Sequence, residues 1–272
     1  MTPNKHARYT AGHTPAVLST HSWRTIANSG KYMQPFLKPD MKVLDVGCGP
    51  GSITVDLATF IPQGHVTGVE NVEGPLEAAR AHAAERGVAN VDFMVGDALS
   101  LPFPDQTFDL THAHQVLQHT GDPVRTLREM RRVTKPGGLV ACREADHATW
   151  ICFPESKDLR EWHQVIEKIA YADGREPNAG RHVHKWAREA GFDPANITTT
   201  ASAWCFHTRA EREYWGTGMG KRTLDPGFIE TAVKGGFATR EDLERFAKAW
   251  QDWINDDDGW MSITSGEVVC RV

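Results

Sequence analysis

Apolar runs of strand length alternate with segments of helical periodicity from residue 41 onward, and this alternation constrains the fold more than any other feature. The first five strand-like runs are residues 42–46, 65–70, 91–95, 108–113 and 139–145. Between them, apolar residues recur three and four positions apart, which predicts helices. Because strand–helix–strand units place their strands parallel, we expect an α/β fold with a mostly parallel sheet and helices on both faces.

Local signals mark the ends of two of these helices. Asp122 precedes Pro123, where a carboxylate caps free backbone amides and the proline ring fits the first helical turn. Gly87 follows the helical stretch 75–86, at the position where glycine most often ends a helix. Both helices therefore have ends that are fixed by local chemistry.

The second half of the chain is richer in tryptophan and more helical. Eight of the nine tryptophans lie at or beyond Trp150. A sixth strand is predicted near 197–206 and a closing strand near 266–272, and residues 207–261 between them have a helical pattern of their own. A connection of that length is far longer than a hairpin loop, so we expect it to cover a binding site as a lid.

Charge and cysteine usage exclude several classes of protein. The net charge of −5 offers no general affinity for a nucleic acid backbone, and the five cysteines are scattered, which favours free thiols over disulfides or a zinc site. We therefore predict no metal site. No apolar run reaches the length of a signal peptide core or a membrane span, so the expectation is a cytoplasmic protein.

A glycine-rich turn follows the first strand. Gly47, Gly49 and Gly51 permit a sharp turn and a close approach of a ligand to the bare backbone. A dinucleotide site favours a glycine at the sixth position, which here is Ser52. Glycines alone leave both a dinucleotide and a sulfonium cofactor possible.

Two acidic residues extend this site along the sheet edge. Glu70 ends the second strand, where a carboxylate can accept hydrogen bonds from both hydroxyls of an adenosine ribose. Asp97 follows the third strand, where it can accept from an adenine amino group. Together with the turn, these acids favour a cofactor that contains adenosine.

The ordered series of motifs resembles the class I S-adenosylmethionine-dependent methyltransferases, in particular the ubiquinone/menaquinone-biosynthesis-like (type 11) group. The resemblance covers roughly residues 20–145 and is looser beyond. The motifs that carry it are residues 43–51, Glu70, Gly96-Asp97-Ala98, Phe108-Asp109 with 114–119, and Lys135-Pro136-Gly137-Gly138.

This resemblance implies a Rossmann-like, seven-stranded, mostly parallel sheet whose last strand is antiparallel. It also implies S-adenosylmethionine as cofactor, S-adenosylhomocysteine as product and a small molecule as methyl acceptor. The three turn glycines and Cys48 would lie at the methionine end of the cofactor, and Asp45 would support the turn. Glu70 and Asn71 would hold the ribose, and Asp97 and Ala98 would flank adenine. Gln115 would lie beside the transferred methyl group.

Four segments follow from the resemblance and the periodicity. We expect an N-terminal helical cap at 1–38, the cofactor-binding core at 39–148, a helical insertion with the last core helix at 149–195, and the final strands at 196–272 with the lid at 207–261. In the cap, His21, Trp23 and Arg24 are candidates to close over the cofactor, although Trp23 alternatively packs on the sheet edge. The number of subunits, one or two, stays open.

Candidate catalytic residues are harder to choose, because a sulfonium methyl group is already activated and the enzyme mainly aligns the reactants. His114 and His147 follow the fourth and fifth strands, at the sheet edge where ligands bind, and are the candidate bases. For His119 we favour a structural contact. For Arg181 we favour an ion pair with a nearby carboxylate.

Two other functions are considered. An NAD(P)-dependent oxidoreductase is disfavoured, because the third glycine comes one residue early and no Tyr-x-x-x-Lys pair appears where a short-chain dehydrogenase needs one. A protein that binds S-adenosylmethionine without transferring its methyl group remains open, since catalysis here depends on geometry more than on residue identity.

Overall fold

A computed structural model describes residues 23–272 of the chain, and an eight-stranded sheet forms its centre. Five strands match the expected parallel unit: β1 (Lys42–Val46), β2 (His65–Glu70), β3 (Val91–Val95), β4 (Phe108–His114) and β5 (Thr134–Ala145). The remaining three are β6 (Ile151–Phe153), β7 (Ile197–Phe206) and β8 (Trp260–Arg271).

The sheet runs in the order β3-β2-β1-β4-β5-β8, and the pairs among its first five strands are parallel. The closing strand β8 is antiparallel to its neighbours, as expected. Met261 of β8 pairs with Cys152 of β6 and also with Phe206 of β7, so β6 and β7 occupy opposite edges of β8.

The expected count of seven strands is corrected to eight. Residues 151–153, which were expected within a helical insertion, pair with β8 as an added strand. The closing strand begins at Trp260 rather than near residue 266, so the end of the expected lid at 207–261 belongs to the sheet. β8 is long because it pairs with β5 and β6 in succession along one edge.

Eight helices of at least seven residues connect the strands in the described part of the chain. They are α1 (Ser52–Phe60), α2 (Gly74–Glu85), α3 (Pro123–Val133), α4 (Lys157–Ala172), α5 (Val183–Glu189), α6 (Arg209–Thr223), α7 (Pro226–Lys234) and α8 (Arg240–Asn255). The expected caps are present: Asp122 accepts a hydrogen bond from the amide of Arg125 at 2.9 Å, and Gly87 has φ of 64°.

Helices cover both faces of the sheet. Leu44 and Val46 of β1 pack in one apolar cluster with α3 and α5, whereas Val43 packs in another with α1. Since alternate residues of a strand point to opposite faces, the two clusters lie on opposite sides of the sheet. This arrangement confirms the α/β class expected from the alternating pattern.

A third apolar cluster lies under the helical insertion. It contains side chains of α4, α6, α7 and α8 together with Trp204, Phe206, Met261 and Ile263 of the sheet. Trp250 is 1% exposed in this cluster, which agrees with its position on the apolar stripe of α8. The insertion is thus held to the sheet by its own aromatic core.

Parallel strands bring the carboxyl ends of β1, β2, β3, β4 and β5 to one edge of the sheet. Every residue expected to bind the cofactor follows or ends one of these strands, so the fold brings them into one region. Among residues 23–272, no helix has the length and apolar character that crossing a membrane requires.

Candidate active site at the carboxyl ends of the strands

A cavity of about 560 Å³ opens where these strand ends meet. Its size lies within the range of ordinary small-molecule sites. The lining includes nine of the ten residues expected to bind the cofactor: Asp45, Gly47, Cys48, Gly49, Glu70, Asn71, Asp97, Ala98 and Gln115. The sequence therefore located this cavity almost residue by residue.

The glycine turn forms one wall, and two of its glycines are required for different reasons. Gly47 has φ of 68°, and a Cβ placed there would lie 2.4 Å from Cγ2 of Val116. Gly49 has φ of 53°, and no atom lies within 4 Å of where its Cβ would be. Since Gly49 lines the cavity, its missing side chain leaves room for a ligand against the backbone.

Gly51 differs from its expected role. It does not line the cavity; it precedes α1 with φ of 76°, and a Cβ there would lie 2.7 Å from Cβ of Ala79 in α2. This glycine therefore permits two helices to pack closely.

Cys48 lines the cavity as a buried thiol. Burial, with the nearby charges of Asp45 and Glu70, raises the pKa of Cys48 well above its ordinary value. A thiol that stays protonated is a poor nucleophile. This environment therefore disfavours a role of Cys48 as a nucleophile.

Asp45 is buried behind the turn and has hydrogen-bond partners for both oxygens. Its Oδ1 lies 2.7 Å from Nδ1 of His112, and its Oδ2 accepts from the hydroxyl of Thr54 at 2.6 Å. These contacts tie β1 to β4 and to the first turn of α1. Asp45 therefore fixes the turn, as the resemblance implied.

Glu70 connects the turn to the end of β2. Its Oε2 accepts from the amide of Gly49 at 3.1 Å, and its Oε1 accepts from the amide of Asn71 at 2.7 Å. Each carboxylate oxygen has a second lone pair, so Glu70 can still accept hydrogen bonds from a ligand. Across the cavity, Asp97 accepts from the amide of Leu99 at 2.8 Å, which holds the loop after β3.

Gln115 stands at the end of β4 in an uncommon backbone conformation, with φ of 55°. Its amide donates to the carbonyl of Arg143 at 2.8 Å, and its side-chain oxygen accepts from Nη2 of Arg24 at 2.9 Å. A non-glycine residue in the left-handed region is typical of functional sites. Arg24 thus reaches from the N-terminal segment over the cavity.

Glu144 organises the loop after Gln115, a role that the sequence did not reveal. The side chain is fully buried and accepts from the amides of Val116, Leu117 and Gln118 at 2.9, 2.9 and 3.3 Å. An acid at the end of a buried strand was the available signal. Its partners come from a loop that is distant in sequence, so only the fold identifies them.

Burial raises the pKa of Glu144 to about 7, against the opposing effect of its three amide donors and of Arg143. Between the ordinary pKa of 4.5 and this value, the folded protein holds a proton that the unfolded chain releases. Folding stability from this group is therefore complete at low pH and is lost as the pH rises to about 7.

We predict that Glu144→Gln removes this dependence. From about pH 4 to about pH 8, the wild-type protein should lose about 3 kcal/mol of unfolding free energy relative to the variant, whose side chain does not titrate. Urea unfolding at both pH values measures the difference. A constant difference across this range would mean that Glu144 keeps an ordinary pKa.

His114 lines the first cavity, but its contacts do not favour a role as a base. Nη1 of Arg143 lies 3.0 Å from its Nε2. Nη1 of Arg24 lies 3.5 Å from its Nδ1, so each ring nitrogen faces an arginine, which can only donate a hydrogen bond. The lone pair that a base needs is therefore already used. Arg143 in turn is fully buried and lies 3.4 Å from Glu267.

A second, smaller cavity of about 120 Å³ adjoins the first. Both are lined by Arg24, Gln115 and His119, so the two spaces meet at the end of β4. The inner walls are aromatic, with Trp150, Trp162, Trp204 and Trp215. The expectation that the insertion covers a binding site agrees with this position, because Trp215 belongs to α6.

His147 lies in this second cavity, apart from the cofactor turn. Its ring stacks on that of His163 at 5.7 Å, and burial together with the charges of His163, Arg222 and Arg175 lowers its pKa to about 3. His147 is therefore neutral at physiological pH and too weak a base to take a proton from a phenol. The two candidate bases do not form one catalytic pair.

The remaining candidates have local roles. Trp23 packs on β7, with its ring 5.2 Å from that of Trp204, which is the alternative expected for it. Arg181 pairs with Asp146 through two contacts of 2.6 Å, as expected. His119 lines both cavities, a position not anticipated from its sequence context. His21 lies outside the described residues.

Comparison with known proteins places this geometry in a family. Residues 37–191 match the model of a methyltransferase domain. An uncharacterised methyltransferase of Schizosaccharomyces pombe is 35% identical over 99% of this chain and 98% of its own length. A demethylmenaquinone methyltransferase of Lactococcus lactis is 37% identical over 44% of this chain and 48% of its own length.

Solved structures share the fold. A candidate methyltransferase of Bacillus halodurans superposes with a TM-score of 0.58 at 22% identity, over 89% of this chain and 97% of that chain. A phosphoethanolamine N-methyltransferase of Haemonchus contortus, in complex with phosphomonomethylethanolamine and S-adenosylhomocysteine, gives a TM-score of 0.57 at 17% identity, over 97% of this chain and 59% of that chain. The expected resemblance is confirmed.

Proposed function

Since this chain belongs to the methyltransferase family, we propose that it is an S-adenosylmethionine-dependent enzyme that methylates a small molecule. The observation that carries the proposal is the first cavity, in which the open backbone at Gly49 meets the carboxylates of Glu70 and Asp97. Gly49, the acid proposed to bind the ribose (Glu70) and the acid proposed to face adenine (Asp97) lie at the ends of three successive strands. That arrangement fits an adenosine attached to a short polar chain.

The residues present fit this cofactor. Glu70 and Asn71 would hold the ribose, Asp97 and Ala98 would flank adenine, and Gly47, Cys48 and Gly49 would contact the methionine part. Asp45 acts behind them by fixing the turn through His112 and Thr54. Gly51 is left out of this set and serves helix packing.

When bound, S-adenosylmethionine supplies an activated methyl group: an electron pair of the acceptor forms the new bond to carbon, and the sulfur–carbon pair returns to sulfur. The chain's task is then alignment and exclusion of water. Gln115 is held between the two cavities by its strained backbone and by Arg24, so it would lie beside the transferred methyl group. No residue needs to form a covalent bond.

The second cavity is the proposed acceptor site. It meets the first only along Arg24, Gln115 and His119 among the described residues, so an acceptor there faces the donor past these side chains. The Haemonchus enzyme has the same overall fold, and its structure contains S-adenosylhomocysteine. This likeness supports the proposal that the present chain also binds a methyl donor and an acceptor. An oxidoreductase gains no support, because the turn lacks the third dinucleotide glycine at Ser52.

We predict that Glu70→Ala weakens binding of S-adenosylmethionine by roughly 1.5–3 kcal/mol, the typical contribution of a hydrogen bond to a charged group. Calorimetric titration measures this. The matched control is Glu73→Ala, an exposed acid nearby that pairs with Arg80 and does not line the cavity. Unchanged affinity in Glu70→Ala would remove this residue from the site.

The same titration tests the function. We expect the wild-type protein to bind S-adenosylmethionine and S-adenosylhomocysteine and to show no comparable response to a nicotinamide dinucleotide. Tight dinucleotide binding without a response to the methyl donor would refute the proposal. Release of S-adenosylhomocysteine with phenols, quinols, amines and thiols then separates an enzyme from a protein that only binds the cofactor.

A further inference from the structure

The charges around the second cavity are all of one sign. Its described lining contains Arg24, Arg175 and Arg222 and not one Asp or Glu. The sequence of residues 1–22, which precedes the described part, contains no Asp or Glu either. The described lining therefore offers a ligand three cationic side chains and no acidic one.

The histidines of the cavity do not change this balance. Burial and the field of Arg175 and Arg222 lower the pKa of His119 well below its ordinary value and that of His147 to about 3. Burial lowers the pKa of His163 to about 4. At physiological pH these rings are neutral, so the arginines alone set the charge.

Two buried donors or acceptors in the cavity lack a hydrogen-bond partner within residues 23–272. These are Nε of Arg175 and Nε2 of His163, whose side chains are each 10% exposed. Arg175 uses Nη2 to bind Asp173 at 3.0 Å, a carboxylate that does not line the cavity. Its Nε–H has no partner among the described residues, and a buried donor without a partner is costly.

The walls between these polar groups are flat and apolar. Trp150 stacks on His163 with ring centres 5.1 Å apart and planes 9° apart, and Trp162, Trp204 and Trp215 complete the aromatic surface. Planar rings suit such walls. Tryptophan faces also attract cations by about 0.5–2 kcal/mol, but the three arginines of the lining oppose a cation here.

Resting on the proposed function, we propose that the acceptor is a planar aromatic or conjugated acid that binds the second cavity as an anion, with its charged oxygen toward Arg175. Cationic amines are excluded as acceptors by the same charges.

Three probes that share one ring system test which ligand charge the second cavity prefers. They are the anion 2-naphthoate, the neutral 2-naphthylmethanol and the cation 2-naphthylmethylamine. Each is titrated calorimetrically into the full-length protein saturated with S-adenosylhomocysteine. We expect the acid to bind at least about 10-fold more tightly than the amine, with the alcohol between them. An amine that binds as tightly as the acid, or no binding by any probe, would overturn the inference.

Arg175→Leu tests the residue assigned to the anion. We expect a loss of roughly 10–100-fold in affinity for 2-naphthoate, as for a lost charged hydrogen bond, and little change for the alcohol. The matched control is Arg160→Leu on α4, an arginine that pairs with Glu155 at 3.1 Å outside the cavity. Equal effects of the two substitutions would contradict the assignment.

Binding of S-adenosylhomocysteine separates this inference from the function on which it rests. Arg175 does not line the first cavity, so both variants should bind this product as the wild-type protein does. If the wild-type protein fails to bind it, the proposed function fails. If it binds but does not distinguish acid from amine, only the inferred acceptor class fails.

Discussion

Gly49→Ala should lower the affinity for S-adenosylmethionine by more than about 100-fold while leaving the protein folded. Gly49 has φ of 53°, and the space where its Cβ would lie is empty to 4 Å. The new methyl group therefore meets no protein atom, and it occupies the cavity where the cofactor approaches the backbone. Calorimetric titration of the donor measures the loss.

Gly87→Ala is the control that isolates backbone strain. Gly87 has φ of 64° at the end of α2, also with no atom within 4 Å of its Cβ position, and it lies outside the cavity. Both substitutions should cost about 1–2 kcal/mol of stability, because both force alanine into the left-handed region. Only Gly49→Ala should affect binding. Equal affinities in the two variants would show that the cofactor does not contact this turn.

Glu144→Ala should destabilise the protein by roughly 3–5 kcal/mol. The substitution leaves the amides of Val116, Leu117 and Gln118 without their carboxylate partner in a buried place. Because Val116 also lines the first cavity, the donor should bind more weakly as well. Urea unfolding near neutral pH measures the first effect, and calorimetry measures the second.

Glu144→Gln separates the hydrogen bonds from the charge. A glutamine oxygen can still accept from Val116 and Leu117, so we expect it to restore most of the stability that alanine removes. At neutral pH it also avoids the cost of ionising a buried acid whose pKa is about 7. If glutamine were as destabilising as alanine, the loop would depend on the negative charge itself.

Local sequence patterns were sufficient for most of the framework. Strands β1, β2, β3 and β7 have the predicted bounds, and the predicted cap at Asp122 is present. These features depend on residues that are close in sequence, where alternation, capping and turn chemistry act directly. Much of the first cavity was predictable for the same reason, since the nine predicted residues that line it lie at or just beyond the ends of recognisable strands.

Interactions between distant segments were not predictable in this way. The added strand β6 exists because β8 extends beyond β5 and offers a free edge, and Gly51 is required by Ala79 on another helix. His114 and His147 both lie at strand ends, as expected. However, Arg143 contacts a ring nitrogen of His114, and burial lowers the pKa of His147. Their chemistry depends on neighbours that the sequence does not place beside them.

The sequence alone therefore determined the α/β sheet, the glycine turn and the acids at Glu70 and Asp97, because each is encoded within a few residues. Only the tertiary structure decided what surrounds the second cavity. Arg175 and His163 belong to the α4 region, Trp204 to β7 and Trp215 to α6, and they meet through the packing of the insertion on the sheet. Charge, burial and lone pairs in that cavity are set by long-range contacts, which no local pattern specifies.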